Sequence, residues 1–288
     1  MENEVQQNSF LKTIKLGLIG DNIARSKAPN LHVAAGKQCG VDASYERLIP
    51  RELGKTFLEV FEMVETSGFR GINITYPYKE TATSLVAVKD PLVKAIGAVN
   101  TVVFEHSGPV GYNTDYSGFI EAYRTHRNEA GPGIVCLIGS GGVGKAVAFG
   151  LVTLGATVIR CVDLKLAKAQ ALANALSELN SNTKIEIHSN APAAARGADG
   201  IVNCTPVGMV DLNGTPLPAE NMSGGCWAFD AVYTPVETEF LTDAKTAGLD
   251  IISGYELFLG QGVDAWTLFS GHQVNKDKLR AAIAEESS

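Results

Sequence analysis

Short apolar runs alternate with stretches of helical spacing along the whole chain. Residues 14–19 (IKLGLI), 44–48 and 71–75 (GINIT) read as strands, the last ended by Pro77. Between them, residues 31–39 and 53–65 carry apolar side chains at helical intervals. A polar, turn-rich stretch at 127–133 (RNEAGPG) breaks the pattern. The rhythm then restarts with a strand over Ile134–Ile138, a glycine loop, a helix through Leu154 and a strand over 156–162. Gly200–Asn203 and 226–230 read as further strands, and 256–269 as a helix with one apolar face. This rhythm predicts an α/β fold, with parallel sheets joined by crossover helices in two units. No internal repeat, low-complexity tract or charge block interrupts it.

Composition narrows the picture. At 288 residues the length fits about two domains of roughly 150 residues each, enough to bury a core without disulfides or a structural metal. Lys plus Arg number 24 against 31 acids, a net charge of −7. That balance supplies no surplus cation to neutralise phosphates, so neither nucleic acid nor an anionic membrane is an expected partner. Cys39, Cys136, Cys161, Cys204 and Cys226 are scattered and lack CxxC spacing. They read as small buried apolar residues in a reducing compartment, with no metal site. The opening MENEVQQNSFLK is polar without an apolar h-region, and no apolar run reaches membrane-spanning length, which predicts a soluble cytoplasmic protein.

The clearest chemical motif is Gly139-Ser140-Gly141-Gly142-Val143-Gly144, a G-x-G-x-x-G between a predicted strand and helix. Gly139 makes the tight turn, Gly141 lets a pyrophosphate approach the backbone, and Gly144 lets helix and strand pack closely. The free N–H groups of the helix start then face the phosphate oxygens. Asp163, closing the next strand, is placed to accept hydrogen bonds from the ribose hydroxyls of NAD and to repel the 2′-phosphate of NADP. Leu164 follows it, so no arginine is presented beside it, and Lys165 and Lys168 read as a solvated helix start. NAD is the expected cofactor, with NADP possible. The same residues nearly spell a P-loop through Lys145, but Ala146 stands where magnesium would need a hydroxyl.

Other motifs complete a wider pattern. They are Gly71-Ile-Asn73-Ile-Thr75-Tyr-Pro77-Tyr-Lys79, Gly97-Ala-Val-Asn100-Thr101, Gly111-Tyr-Asn113-Thr114-Asp115-Tyr-Ser-Gly118-Phe119 and the segment from Gly254 to Gln261. With Ile19-Gly20 through Pro29, His32, Asn203-Cys-Thr205-Pro206-Val-Gly208-Met209 and Asp230-Ala-Val-Tyr233-Thr-Pro235, they resemble the shikimate dehydrogenase family, which includes quinate/shikimate dehydrogenases. The resemblance spans nearly the whole chain in order.

That resemblance implies an N-terminal α/β substrate domain over residues 1–115 and a Rossmann-type NAD(P)-binding domain over 116–252. The C-terminal helices, 253–288, return to the substrate domain. It implies reversible oxidation of shikimate to 3-dehydroshikimate, with Lys79 and Asp115 as the catalytic pair. Ser26, Thr75, Asn100, Asp115, Tyr233 and Gln261 would bind the substrate. Gly139, Ser140, Gly141, Gly142, Val143, Asp163, Thr205, Ala231 and Gly254 would bind the cofactor. The partner is then a small cyclic hydroxy acid, and the protein a monomer or homodimer. Quinate or aminoshikimate are alternative substrates, and a non-catalytic dinucleotide sensor is the alternative of another class.

The chemistry of the residues agrees. Hydride reduction of a ketone creates an alkoxide, which needs a proton from a positioned acid. A lysine ammonium can supply it, and a neighbouring carboxylate orients the amine and favours its charged form. His32 reads as a structural, locally satisfied helix histidine, and Trp227 and Trp266 as core. One departure stands out. The family shows S-x-S-P before its first helix, whereas this chain has Arg25-Ser26-Lys27-Ala28-Pro29 and lacks the second hydroxyl. A hydrogen bond lost to a charged group costs about 1.5–3 kcal/mol, so binding is weaker, Arg25 or Lys27 compensates, or the acid differs.

Overall fold

A computed structural model describes residues 13–179 and 181–285; the polar opening segment lies outside the described residues. The first half runs β1 (Thr13–Ile19), α1 (Ala28–Cys39), β2 (Asp42–Leu48), α2 (Phe57–Thr66), β3 (Gly71–Ile74), α3 (Pro91–Ile96), β4 (Thr101–Glu105) and β5 (Gly108–Tyr112). The linking helix α4 (Thr114–Arg127) leads into β6 (Ile134–Ile138), α5 (Gly142–Thr153), β7 (Val158–Val162), α6 (Leu166–Ser177), β8 (Lys184–His188), α7 (Ala191–Ala195) and β9 (Gly200–Asn203). The chain ends with β10 (Trp227–Asp230), α8 (Glu239–Thr246), β11 (Asp250–Ile252), α9 (Gly254–Ser270) and α10 (Lys276–Glu285).

Among the described residues these strands form two sheets. The first has the order β2-β1-β3-β4-β5. β1 pairs in parallel with β2 and β3, while β3–β4 and β4–β5 are antiparallel. The parallel pairing expected holds for β1, β2 and β3, while β4 and β5 add an antiparallel edge. β4 and β5 are joined by a short turn, with Gly108 at φ 112, and a short connection can link only antiparallel neighbours. The second sheet, β11-β10-β9-β6-β7-β8, is parallel throughout. Its order reverses between β6 and β9, and in such sheets ligands bind in the crevice at the carboxyl ends of the two strands at that switch.

The helix predicted over 53–65 begins at Phe57 instead. Thr56 caps it with Glu59 in a reciprocal box: Glu59 N donates to Thr56 Oγ1 at 3.3 Å, and Thr56 N donates to Glu59 Oε2 at 2.7 Å. Such a box satisfies orphan donors at one fixed residue, which overrides the apolar spacing that drew Leu53 into the helix.

Packing brings the chain ends together. Leu259, Trp266 and Phe269 of α9, with Leu279 and Ile283 of α10, join Leu16, Leu18 and Leu31 in one buried cluster. The last helices thus cover the first sheet. α4 belongs to the second core, where Phe119 packs edge-on against Phe229 and Tyr123 against Trp227, each with ring centroids 5.0 Å apart. Cys136, Cys161 and Cys204 are buried free thiols, but Cys39 is half-buried and Cys226 exposed, because Cys226 precedes β10 in a surface turn. No described helix is long and apolar enough to cross a membrane.

Candidate active site

Lys79 follows β3 in a loop tied down by Val99 N, which donates to the Lys79 carbonyl at 2.9 Å. Asp115 sits in the first turn of α4, which Asn113 caps by accepting from Tyr116 N at 3.1 Å. The two side chains meet with Lys79 Nζ 2.6 Å from Asp115 Oδ2, and only 14% and 5% of the side chains remain exposed. Such a charge-assisted bond between largely buried groups is short and directional. Asn100 holds the turn that carries the acid: its Oδ1 accepts from Thr114 N at 2.7 Å and its Nδ2 donates to Thr114 Oγ1 at 2.9 Å. Gln261 on α9 closes the group, with Thr114 Oγ1 3.5 Å from its Oε1 and its Nε2 on the Phe258 carbonyl at 3.0 Å.

A second wall carries hydroxyls. Ser26 Oγ lies 3.2 Å from the Tyr233 hydroxyl, and Tyr233 stacks on Phe258 with centroids 4.5 Å apart. Burial raises the phenols of Tyr233 and Tyr45 above their ordinary value, so both stay protonated donors. Arg47 on β2 grips the Ser26 carbonyl through Nη2 at 2.6 Å and Nε at 3.2 Å. Thr75 directly follows β3, its N–H on the Ile19 carbonyl at 2.9 Å.

His32 lies beneath this wall, stacked on Tyr45 at 4.7 Å, and burial lowers its pKa to about 3. A neutral imidazole packed among rings matches the structural role expected. The expectation that it is locally satisfied fails at Nδ1, which is buried without a hydrogen-bond partner among the described residues.

The glycine loop occupies the switch point between β6 and β9. A Cβ at Gly144 would collide with the Gly139 carbonyl, so only glycine allows this close helix–strand approach, while a Cβ at Gly141 would meet nothing within 4 Å. The open space over Gly141, beside the free N–H groups opening α5, fits a pyrophosphate. Ser140 adds a buried hydroxyl with no partner among the described residues, and Val143 packs half-buried onto the core. Asp163 bridges the loop and α6: Oδ2 accepts from Ser140 N and Oδ1 from Lys165 N, both at 2.8 Å. Each oxygen keeps a lone pair for a ribose hydroxyl. Leu164 beside it is fully exposed. Ala146 is buried in the core, which leaves no place there for a magnesium-binding hydroxyl.

Opposite the loop, Asn203 Oδ1 accepts from both Thr205 N at 2.9 Å and Thr205 Oγ1 at 2.7 Å. Ala231 N donates to the Asn203 carbonyl at 2.8 Å. Gly254 opens α9 hard against the Val232 carbonyl, 2.5 Å from where a Cβ would sit. Thr205, Ala231 and Gly254 thus share the rim formed by the ends of β9, β10 and β11.

The two halves touch at the site itself. A Cβ on Gly142 would lie 2.9 Å from Lys79 Cβ, so the glycine loop abuts the lysine stem. Next to it Glu80 Oε2 accepts from Lys145 Nζ at 2.8 Å, with Lys168 Nζ 3.7 Å from Oε1. Lys168 is therefore not the free solvated side chain its sequence context suggests. Sequence reasoning also missed Thr114, Arg47 and Tyr45. Thr114 lies inside the N-T-D motif and could have been found there, whereas Arg47 and Tyr45 share one face of β2 and gain their partners, the Ser26 carbonyl and Asn73, only through tertiary contacts.

Residues 18–102 match the family description "Shikimate dehydrogenase substrate binding domain". A quinate/shikimate dehydrogenase (NAD(+)) from Corynebacterium efficiens is 36% identical over 279 residues, covering 94% of this chain and 98% of the relative. A solved quinate dehydrogenase from Corynebacterium glutamicum in complex with NAD superposes with a TM-score of 0.82 at 33% identity, covering 95% of this chain and 99% of that one. A shikimate 5-dehydrogenase from Thermus thermophilus, in complex with NADP(H) and shikimate, superposes with a TM-score of 0.81 at 32% identity over 94% of this chain and 99% of that one.

Proposed function

The chain belongs to the shikimate dehydrogenase family, and from that premise we infer that it is an NAD(P)-dependent dehydrogenase oxidising a ring hydroxyl of shikimate or quinate. In this reading the described residues up to 115, with those from 253 onward, make the substrate half, and the described residues of 116–252 make the dinucleotide half. The observation that carries this reading is the 2.6 Å Lys79–Asp115 pair, set against the glycine loop at Gly142. A sensor that only binds a dinucleotide has no use for a proton donor at that point.

When bound, the nicotinamide supplies the hydride that reduces the ketone, or takes it in the reverse direction. Lys79 holds a proton at Nζ and delivers it to the substrate oxygen as alkoxide charge develops. In the oxidation direction the neutral amine takes the proton from the hydroxyl. Asp115 fixes Nζ and balances its charge, and Asn100 and Thr114 fix Asp115 in turn. Ser26 and Tyr233 present hydroxyls to the carboxylate, while Thr75, Asn100 and Gln261 address carboxylate or ring hydroxyls.

NAD is the preferred cofactor in this reading. Asp163 accepts the ribose hydroxyls and meets a 2′-phosphate with like charge, and the neighbouring side chain is an exposed leucine rather than an arginine. Quinate stands beside shikimate because Ala28 leaves the Ser26 wall without a second hydroxyl, and both acids carry the carboxylate that this wall would hold.

The experiment is a kinetic panel of shikimate, quinate and aminoshikimate with NAD and with NADP, followed by absorbance near 340 nm. NAD reduction with shikimate or quinate is expected. No turnover with any of these acids and either cofactor would overturn the reading.

A further inference from the structure

Glu80 belongs to the substrate half, directly after Lys79, yet its carboxylate partners both lie in the dinucleotide half. Lys145 stands in α5 just beyond Gly144, and its ammonium is 2.8 Å from Oε2. Lys168 stands in the first turn of α6, beyond the Asp163 that ends the preceding segment, and its ammonium is 3.7 Å from Oε1. The cluster is reachable by a ligand: the Glu80 and Lys168 side chains are 39% and 46% exposed.

Asp163 is bound to Ser140 N and Lys165 N, which fixes the ribose position between the glycine loop and the start of α6. A 2′-phosphate there needs a cation, and with Leu164 in the adjacent position the start of α6 can offer only its lysines. The carboxylate of Glu80 pairs with both ammonium groups, more closely with Lys145 than with Lys168, and so draws the Lys168 ammonium towards the substrate half. Specificity is a difference of affinities, so an ammonium held elsewhere weakens the phosphorylated dinucleotide relative to the unphosphorylated one.

We propose that Glu80 is a positioning residue for cofactor choice: by engaging Lys168 together with Lys145, it withholds one of the two ammonium groups, those of Lys165 and Lys168, that the start of α6 can offer a 2′-phosphate beside Asp163. The residue after the proton donor thereby disfavours the phosphorylated dinucleotide from the opposite side of the cleft. The inference rests on the NAD(P)-dependent reading above and adds to Asp163 a determinant from the other half of the chain.

The test uses the full chain and two probes without nicotinamide, adenosine 2′,5′-bisphosphate and 5′-AMP, titrated calorimetrically. Their affinity ratio isolates the 2′-phosphate, and a merely structural loss would weaken both probes alike. Glu80→Gln should shift the ratio toward the bisphosphate by about threefold or more, the scale of one partly exposed charge pair. Adding Lys168→Ala should abolish the gain. An unchanged ratio in Glu80→Gln, a shift that survives Lys168→Ala, or failure of both probes to bind would overturn the proposal. Absence of dehydrogenase turnover in the wild type would defeat the functional reading, while the probe ratio would still decide the role of Glu80.

Discussion

Gly142, the first residue of α5, faces the stem of Lys79 so closely that an added Cβ would come within 2.9 Å of Lys79 Cβ and 3.2 Å of its Cδ. The glycine loop therefore packs directly against the stem of the lysine proposed as the proton donor. Since Cβ is anchored to the backbone, Lys79 cannot swing aside to admit a methyl group; the loop must shift. Gly142→Ala should lower kcat by about tenfold or more, because displacements of about an ångström at reacting groups carry penalties of that order. Steady-state kinetics at saturating substrate check this, and a kcat within about twofold of wild type would contradict it.

Ala28 opens α1, its N–H on Ser26 Oγ at 3.3 Å and its side chain nearly buried beside the Ser26–Tyr233 wall. Ala28→Ser adds a donor to that wall. The Michaelis constant for shikimate should fall, with a gain of at most about 3 kcal/mol, the upper range for a hydrogen bond to a charged group. An unchanged or higher constant for shikimate, with tighter binding of another acid, would point to a different natural substrate.

Asp230 ends β10 wholly buried, accepting from Thr238 Oγ1 at 2.6 Å, Asn203 Nδ2 at 2.9 Å and Val232 N at 3.0 Å. Burial outweighs these donors and pushes its carboxyl from 3.8 up to about 7. The folded state then holds a proton that the unfolded chain has already lost, so this group makes stability fall as pH rises from about 4 to about 7. Asp230→Asn stays uncharged and lacks that slope. The melting temperature of wild type relative to the variant should decline across this window, and parallel curves would contradict the assignment.

The glycine loop, Lys79 and Asp115 were legible because each sits in a short contiguous motif whose chemistry depends on local order. Trp227 and Trp266 were legible as core for the same reason, apolar bulk in apolar context. The hairpin of β4 and β5 was not, since Thr101–Glu105 and Gly108–Tyr112 are only five residues each and lie among the motif residues, where no strand was read. The start of α2 was hidden because apolar spacing continues back to Leu53, and only the Thr56–Glu59 box stops it. Glu80 with Lys145, and Arg47 with the Ser26 carbonyl, join residues distant in sequence whose side chains are individually ordinary. Contacts of that kind arise from topology, and no window along the chain contains both partners.

Lys79→Ala tests the central claim most directly. The Lys79–Asp115 pair is read as the acid–base group, with Nζ as the atom that carries the proton. The variant should lose about 10² to 10⁴ in kcat, the usual range for one positioned acid or base. Its affinity for NADH, followed by nucleotide fluorescence, should stay within about twofold of wild type, because an alanine leaves the Asp163 bridge and the N–H groups of the loop in place. A variant that binds NADH normally and keeps more than about half of wild-type turnover would contradict the account.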